Sequence, residues 1–95
     1  MDELIHEFRT RVRDGDGHLY SARAFGRQRR DRTWIGWLEF TPEGTGKVVR
    51  RTQRETTQPS LEALGYWASG LEPVYLEGAL ARAVARRRGS PASSR

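Results

Sequence analysis

Ninety-five residues, 36% hydrophobic and 31% charged, suit one small domain, too apolar for a disordered chain and too polar for a membrane protein. A chain of this size buries only about 60–65% of its unfolded surface, so thin stability is expected. The absence of cysteine excludes a disulfide framework, a thiolate nucleophile and a cysteine zinc site, and no cofactor or metal is expected. No run reaches the roughly 18 apolar residues of a membrane helix. The acidic start Met1-Asp2-Glu3-Leu4-Ile5-His6-Glu7 lacks the apolar stretch of a secretory signal, so a cytoplasmic location with no membrane partner is expected.

The net charge is +5, but its placement says more than its sum. Residues 1–8 hold three carboxylates and no base, and residues 9–54 hold eleven Arg and Lys47 against five carboxylates. Residues 55–81 hold Glu55, Glu62, Glu72 and Glu77 with no base, and residues 82–95 add five Arg. Clustered cations create a local field that favours a polyanionic partner. Sixteen of the seventeen bases are Arg, which a GC-rich coding sequence also produces. Nucleotide composition explains Arg over Lys, but explains less well the base-free stretch from 55 to 81.

In chain order, residues 1–7 read as an N-terminal arm. Phe8-Arg9-Thr10-Arg11-Val12-Arg13 alternates as a strand and stops at Asp14-Gly15-Asp16-Gly17, where Asp-Gly supplies the positive φ of a tight hairpin. A second strand is predicted over His18 to Phe25, followed by the polar loop Gly26 to Arg32. Thr33-Trp34-Ile35-Gly36-Trp37-Leu38-Glu39-Phe40 is the strongest strand pattern, aromatic and β-branched. Pro42, Gly44 and Gly46 mark its turn, and a fourth strand is predicted from Lys47 to about Glu55. The period then becomes helical. Ser60 caps a helix running to Ser69-Gly70, and Glu72-Pro73 opens a second whose stripe Leu76, Leu80, Ala83, Val84 and Arg87 ends basic. The expected fold is α+β: an antiparallel meander of three or four strands, followed by two C-terminal helices packed on one face. The domain spans 8–88, and residues 89–95 are expected to be a disordered tail.

The motifs that suggest chemistry are weak. Asp14-Gly15-Asp16-Gly17 starts like a calcium loop, but Phe25 stands where the twelfth-position Glu belongs. Gly44-Thr45-Gly46-Lys47 resembles the end of a phosphate loop, yet Val48 follows and the context is strand. His6 and His18 lack partners at ligand spacing. Glu55, with Tyr66 or Tyr75 near it, is a minority candidate for a general base; the dominant reading is a non-enzymatic module with no catalytic residue.

The strand from Trp34 to Phe40 carries the better signal. Alternation places Trp34, Gly36, Leu38 and Phe40 toward the helices and Ile35, Trp37 and Glu39 on the other face. Pairing Phe40 with Lys47 sets Trp37 opposite Arg50 and Ile35 opposite Thr52. An indole among guanidinium groups on an open sheet suits single-stranded RNA or DNA; equally, it suits a tryptophan packed beneath arginine stems as a cation–π pair. The expected phosphate-contacting residues are Arg9, Arg11, Arg13, Arg27, Arg29, Arg30, Arg32, Arg50 and Arg51, with Trp37 stacking a base. The alternative is a protein-partner or homodimer surface formed by Tyr66, Trp67 and Tyr75 on the helices.

The strings Trp34 to Phe40, Arg54-Glu55-Thr56-Thr57-Gln58-Pro59, Tyr66-Trp67-Ala68-Ser69-Gly70-Leu71 and Tyr75-Leu76-Glu77-Gly78-Ala79-Leu80 resemble those of a family of short bacterial proteins of unknown function. The similarity spans about residues 18–85. It implies a free-standing bacterial domain, and it carries no site over because no activity accompanies it.

Overall fold

The structure is a computed structural model that describes residues 1–44 and 48–89. The expected tail, apart from Gly89, lies outside the described residues, as do the side chain of Arg87 and the Thr45–Lys47 part of the turn.

Strands β1 (Glu3–Glu7), β2 (Val12–Arg13), β3 (Leu19–Gln28), β4 (Trp34–Pro42), β5 (Arg50–Arg51) and β6 (Thr56–Gln58) precede helices α1 (Leu61–Ser69) and α2 (Pro73–Gly89). All strand pairings are antiparallel. β1 and β2 pair with one side of β3, β4 with the other, and β5 and β6 both pair with β4. Six strands therefore lie in four lanes, the expected meander with its two outer lanes broken. The fold is α+β. No helix among the described residues is long and apolar enough to cross a membrane.

The segment expected to be an arm is strand β1. Its alternation is interrupted by a register shift between Leu4 and His6, which hides the period-two signal. Glu3 and Glu7 at its ends place charge on an otherwise open edge, a common means of blocking further strand addition.

Two hairpins share one geometry. In the first, Asp14 N–H donates to His18 O and Gly17 N–H to Asp14 O, each at 3.0 Å, with Gly17 at φ 87°. In the second, Arg29 N–H donates to Thr33 O at 2.7 Å and Arg32 N–H to Arg29 O at 3.0 Å, with Arg32 at φ 76°. Both are three-residue loops in which the last residue is left-handed. The positive φ of the first falls on Gly17 rather than Gly15, and in the second an arginine occupies the position that glycine favours.

Tyr20, Ala22 and Ala24 of β3 and Leu38 and Phe40 of β4 face the helices, where they meet Ala68, Leu76, Ala79 and Leu80. Gly26 and Gly36 are direct cross-strand partners. Their missing side chains make the hollow that receives Leu64: a Cβ on Gly36 would lie 2.7 Å from Leu64 Cδ1. Both helices occupy this face. α1 packs over β1, β3, β4 and β6, and α2 over β2 and β5. Ser60 caps α1 by accepting from Ala63 N–H at 3.0 Å, as its sequence position predicts. Among the described residues, no helix lies on the opposite face of the sheet.

Candidate nucleic-acid interface

The uncovered face is built from the odd-numbered residues of β3 and β4. Phe25 lies opposite Trp37, Arg27 opposite Ile35, and Arg23 opposite Glu39, which in turn lies opposite Arg51 of β5. The two aromatic rings run nearly parallel, 18° apart with centroids at 6.5 Å. Guanidinium groups lie over both. Arg23 is 5.3 Å from the Phe25 centroid, and Arg27 and Arg51 are 5.6 and 4.5 Å from that of Trp37. The indole N–H donates to Glu39 Oε2 at 3.4 Å, and the same oxygen is 4.0 Å from Arg51 Nε.

This arrangement corrects two expectations. Trp37 is only 3% exposed, so its ring is the floor beneath two guanidiniums and not an open platform for a base. Arg50 is not its neighbour: Phe40 pairs with Arg50 and Glu39 with Arg51, so Arg50 belongs to the helix side, where its Nε is buried without a partner among the described residues. The expected register placed these residues three positions away. An odd slip moves every side chain to the other face.

A second irregularity extends the site. Thr52 still faces Leu38, whose N–H donates to Thr52 Oγ1 at 3.0 Å, while Thr52 N–H donates to Leu38 O at 2.9 Å. The hydroxyl thus satisfies a buried amide as the strand leaves the ladder. The chain rejoins at Glu55 N–H, which donates to Gly36 O at 2.7 Å, and Gly36 pairs with Thr56. Between these points Gln53 and Arg54 loop outward. With Arg27, Ile35, Trp37 and Arg51 they line a cavity of about 270 Å³.

The remaining predicted arginines are spread more widely. Arg13 lies on β2 opposite Leu19 and donates to Gly17 O at 3.2 Å. Arg11 pairs with Glu43 at 2.8 Å. Arg9 lies between β1 and β2 and lines a separate hollow with Leu71, Pro73 and Leu76. Arg29, Arg30 and Arg32 are exposed in the β3–β4 hairpin. Asp31 holds that turn by accepting from the Thr33 hydroxyl at 2.6 Å and from its N–H at 3.0 Å, and these bonds lower its pKa.

Arg23, Phe25 and Arg54 were missed at the sequence level. The first two were detectable, since 23, 25 and 27 share parity on one strand. Arg54 was not, because in an unbroken strand it and Arg51 point to opposite faces.

Two other clusters have structural explanations. Glu55 Oε1 accepts from the Tyr75 hydroxyl and from Arg82 at 2.6 Å, which ties α2 to the sheet edge. Burial raises the Tyr75 pKa, and the adjacent Glu55 carboxylate raises it further. Asp14, Asp16 and His18 bring their ligand atoms within 4.8 Å of one another. Asp14 Oδ1, however, accepts from the N–H groups of Asp16 and His18 at 2.9 Å each, and Oδ2 meets the Tyr20 hydroxyl at 3.2 Å. Burial works against the Asp14 charge, but these hydrogen bonds outweigh it and lower its pKa.

The three helix aromatics do not form one surface. Tyr66 is 84% exposed, whereas Trp67 packs against the core and Tyr75 turns toward Glu55. Comparison with family models, with curated proteins and with solved structures finds no match for this chain.

Proposed function

We propose that this chain is a non-enzymatic domain that binds single-stranded nucleic acid through the uncovered sheet face. The observation that carries the reading is the set of guanidiniums of Arg23, Arg27 and Arg51 held over the Phe25–Trp37 pair on the face opposite both helices. Aromatic support restricts those side chains, so less rotamer entropy is lost when each meets a phosphate. Guanidinium planes also stack on unpaired bases, which gives the face a stacking mode without an open indole. Arg54 and the hairpin residues Arg29, Arg30 and Arg32 extend the same basic field.

The test is an amide chemical-shift titration with a single-stranded oligonucleotide at about 50 and 200 mM salt, a range over which several phosphate contacts change affinity strongly. Shifts at Arg23–Arg32 and Arg51–Arg54 that weaken with salt are expected. No shift at the lower salt overturns the proposal. Shifts centred on Tyr66 with a protein partner, insensitive to salt, are the signature of the helix-surface alternative.

A further inference from the structure

The cavity beside Trp37 differs from the rest of the basic face in being concave and in drawing its cations from separate backbone segments. Arg27 comes from β3, Arg51 from β5, and Arg54 from the excursion that follows Thr52. Trp37 and Ile35 form an apolar floor, and Gln53 contributes an amide at the wall. Arg51 Nε lies 4.0 Å from Glu39 Oε2. One oxygen of Asp2 accepts from both Nε and a terminal nitrogen of Arg27, at 2.9 and 2.8 Å. That is the contact an anionic oxygen of a ligand makes with the same guanidinium edge. Arg54 forms no hydrogen bond or ion pair among the described residues.

We infer that this cavity seats a phosphate monoester, the terminal phosphate of a nucleic-acid strand or that of a mononucleotide. The inference rests on the nucleic-acid reading for the source of the phosphate. A monoester carries a charge of about −1.5 to −2 at neutral pH and three acceptor oxygens, whereas an internal diester carries one charge. Three arginines lining one cavity suit the former. The space of about 270 Å³ exceeds what a bare ion fills, and the apolar floor suits the attached sugar or base. A phosphate arriving here takes over the Arg27 donors from Asp2.

The experiment compares one oligothymidylate in three forms, 5′-phosphorylated, 3′-phosphorylated and unphosphorylated, with thymidine monophosphate alone as a fourth ligand. Anisotropy gives the affinity and amide shifts give the site, for the native chain and for Arg54→Gln. The expected result is about tenfold tighter binding of one phosphorylated strand than of the unphosphorylated one. Arg54→Gln weakens every strand and removes that preference. Equal binding of all three strands by the native chain overturns the monoester seat and leaves the nucleic-acid reading standing. A preference that survives Arg54→Gln overturns the assignment to this cavity. Binding of the monophosphate at Gln53 and Arg54 without binding of any strand supports the seat and refutes its nucleic-acid source. No response to any of the four overturns both proposals.

Discussion

Arg51→Gln separates the two roles that an aromatic and arginine face can play. The side chain is about half exposed (48%), and its guanidinium stands 4.5 Å from the Trp37 centroid. Losing a cation–π contact of that exposure costs about 0.5–1 kcal/mol, and the 4.0 Å approach to Glu39 adds little in solvent. Urea unfolding should show a loss of at least that size with an unchanged m-value. Binding should respond more strongly. Each phosphate contact on a single strand contributes about −0.7 to the slope of log K against log salt, so the variant's slope should be shallower by about 0.7. Its affinity at about 50 mM salt should fall roughly three- to tenfold. Anisotropy of a labelled oligonucleotide across a salt series measures both quantities. Glutamine also uncovers the indole, so if Trp37 were the dominant stacking surface the variant would bind more tightly. An unchanged slope, or a gain in affinity, refutes the assignment of Arg51 to phosphate.

Asp2→Asn should release Arg27, tightening single-strand binding about two- to fivefold at low salt and steepening the slope by about 0.7, as the same anisotropy series reads. Gly36→Ala should cost about 1–3 kcal/mol in urea unfolding, because the new Cβ meets Leu64 Cδ1 at 2.7 Å, Thr56 Cγ2 at 3.2 Å and Trp67 Cζ3 at 3.4 Å; additivity with Leu64→Ala in a double-mutant cycle would show that the clash is absent. Arg32→Gly should stabilise by about 0.5 kcal/mol, since relief of a left-handed residue at φ 76° exceeds the added unfolded-state entropy, and a lower denaturation midpoint would contradict the hairpin geometry. The depressed Asp14 pKa means that its contribution is present above the ordinary value near 3.8 and is lost as pH falls below it. Asp14→Asn should flatten that part of the acid-unfolding profile, and an unchanged profile would refute the linkage.

The elements with local signals were the legible ones. Ser60 and the Ser69-Gly70 stop bracket α1 as read, because caps depend on neighbours within one turn. The inward set Trp34, Gly36, Leu38 and Phe40 followed from alternation within one strand. What failed was non-local. Pairing Phe40 with Lys47 assumed a tight turn, whereas Phe40 meets Arg50, and this three-residue difference exchanged the faces of Arg50 and Arg51. Nothing in Thr52-Gln53-Arg54-Glu55 announces an excursion, since it exists only because Thr52 Oγ1 can satisfy the buried Leu38 N–H across the sheet. The cavity was invisible for the same reason. Both of its segments from the final lane, Arg51 and Gln53-Arg54, depend on long-range register.

Folding also gathers part of the basic stretch of the sequence on one face of the sheet. The basic stretch 9–54 supplies four of the six strands, and its arginines at 23, 27, 51 and 54 border the uncovered side. The base-free stretch 55–81 includes α1 and the first half of α2, where Glu62, Glu72 and Glu77 are exposed. The acidic run ends within α2, whose second half carries Arg82, Arg86, Arg87 and Arg88 in sequence, so the contrast lies between the open face and the α1 end of the helix layer. Coding bias raises the number of arginines, but it has no means of bringing those at 23, 27, 51 and 54 to one side of the sheet. Nor does it place Phe25 and Trp37 beneath three of them, or set Asp2 of β1's approach against Arg27 at 2.8 Å. The placement of the arginines, more than their number, is what argues for a phosphate-bearing partner.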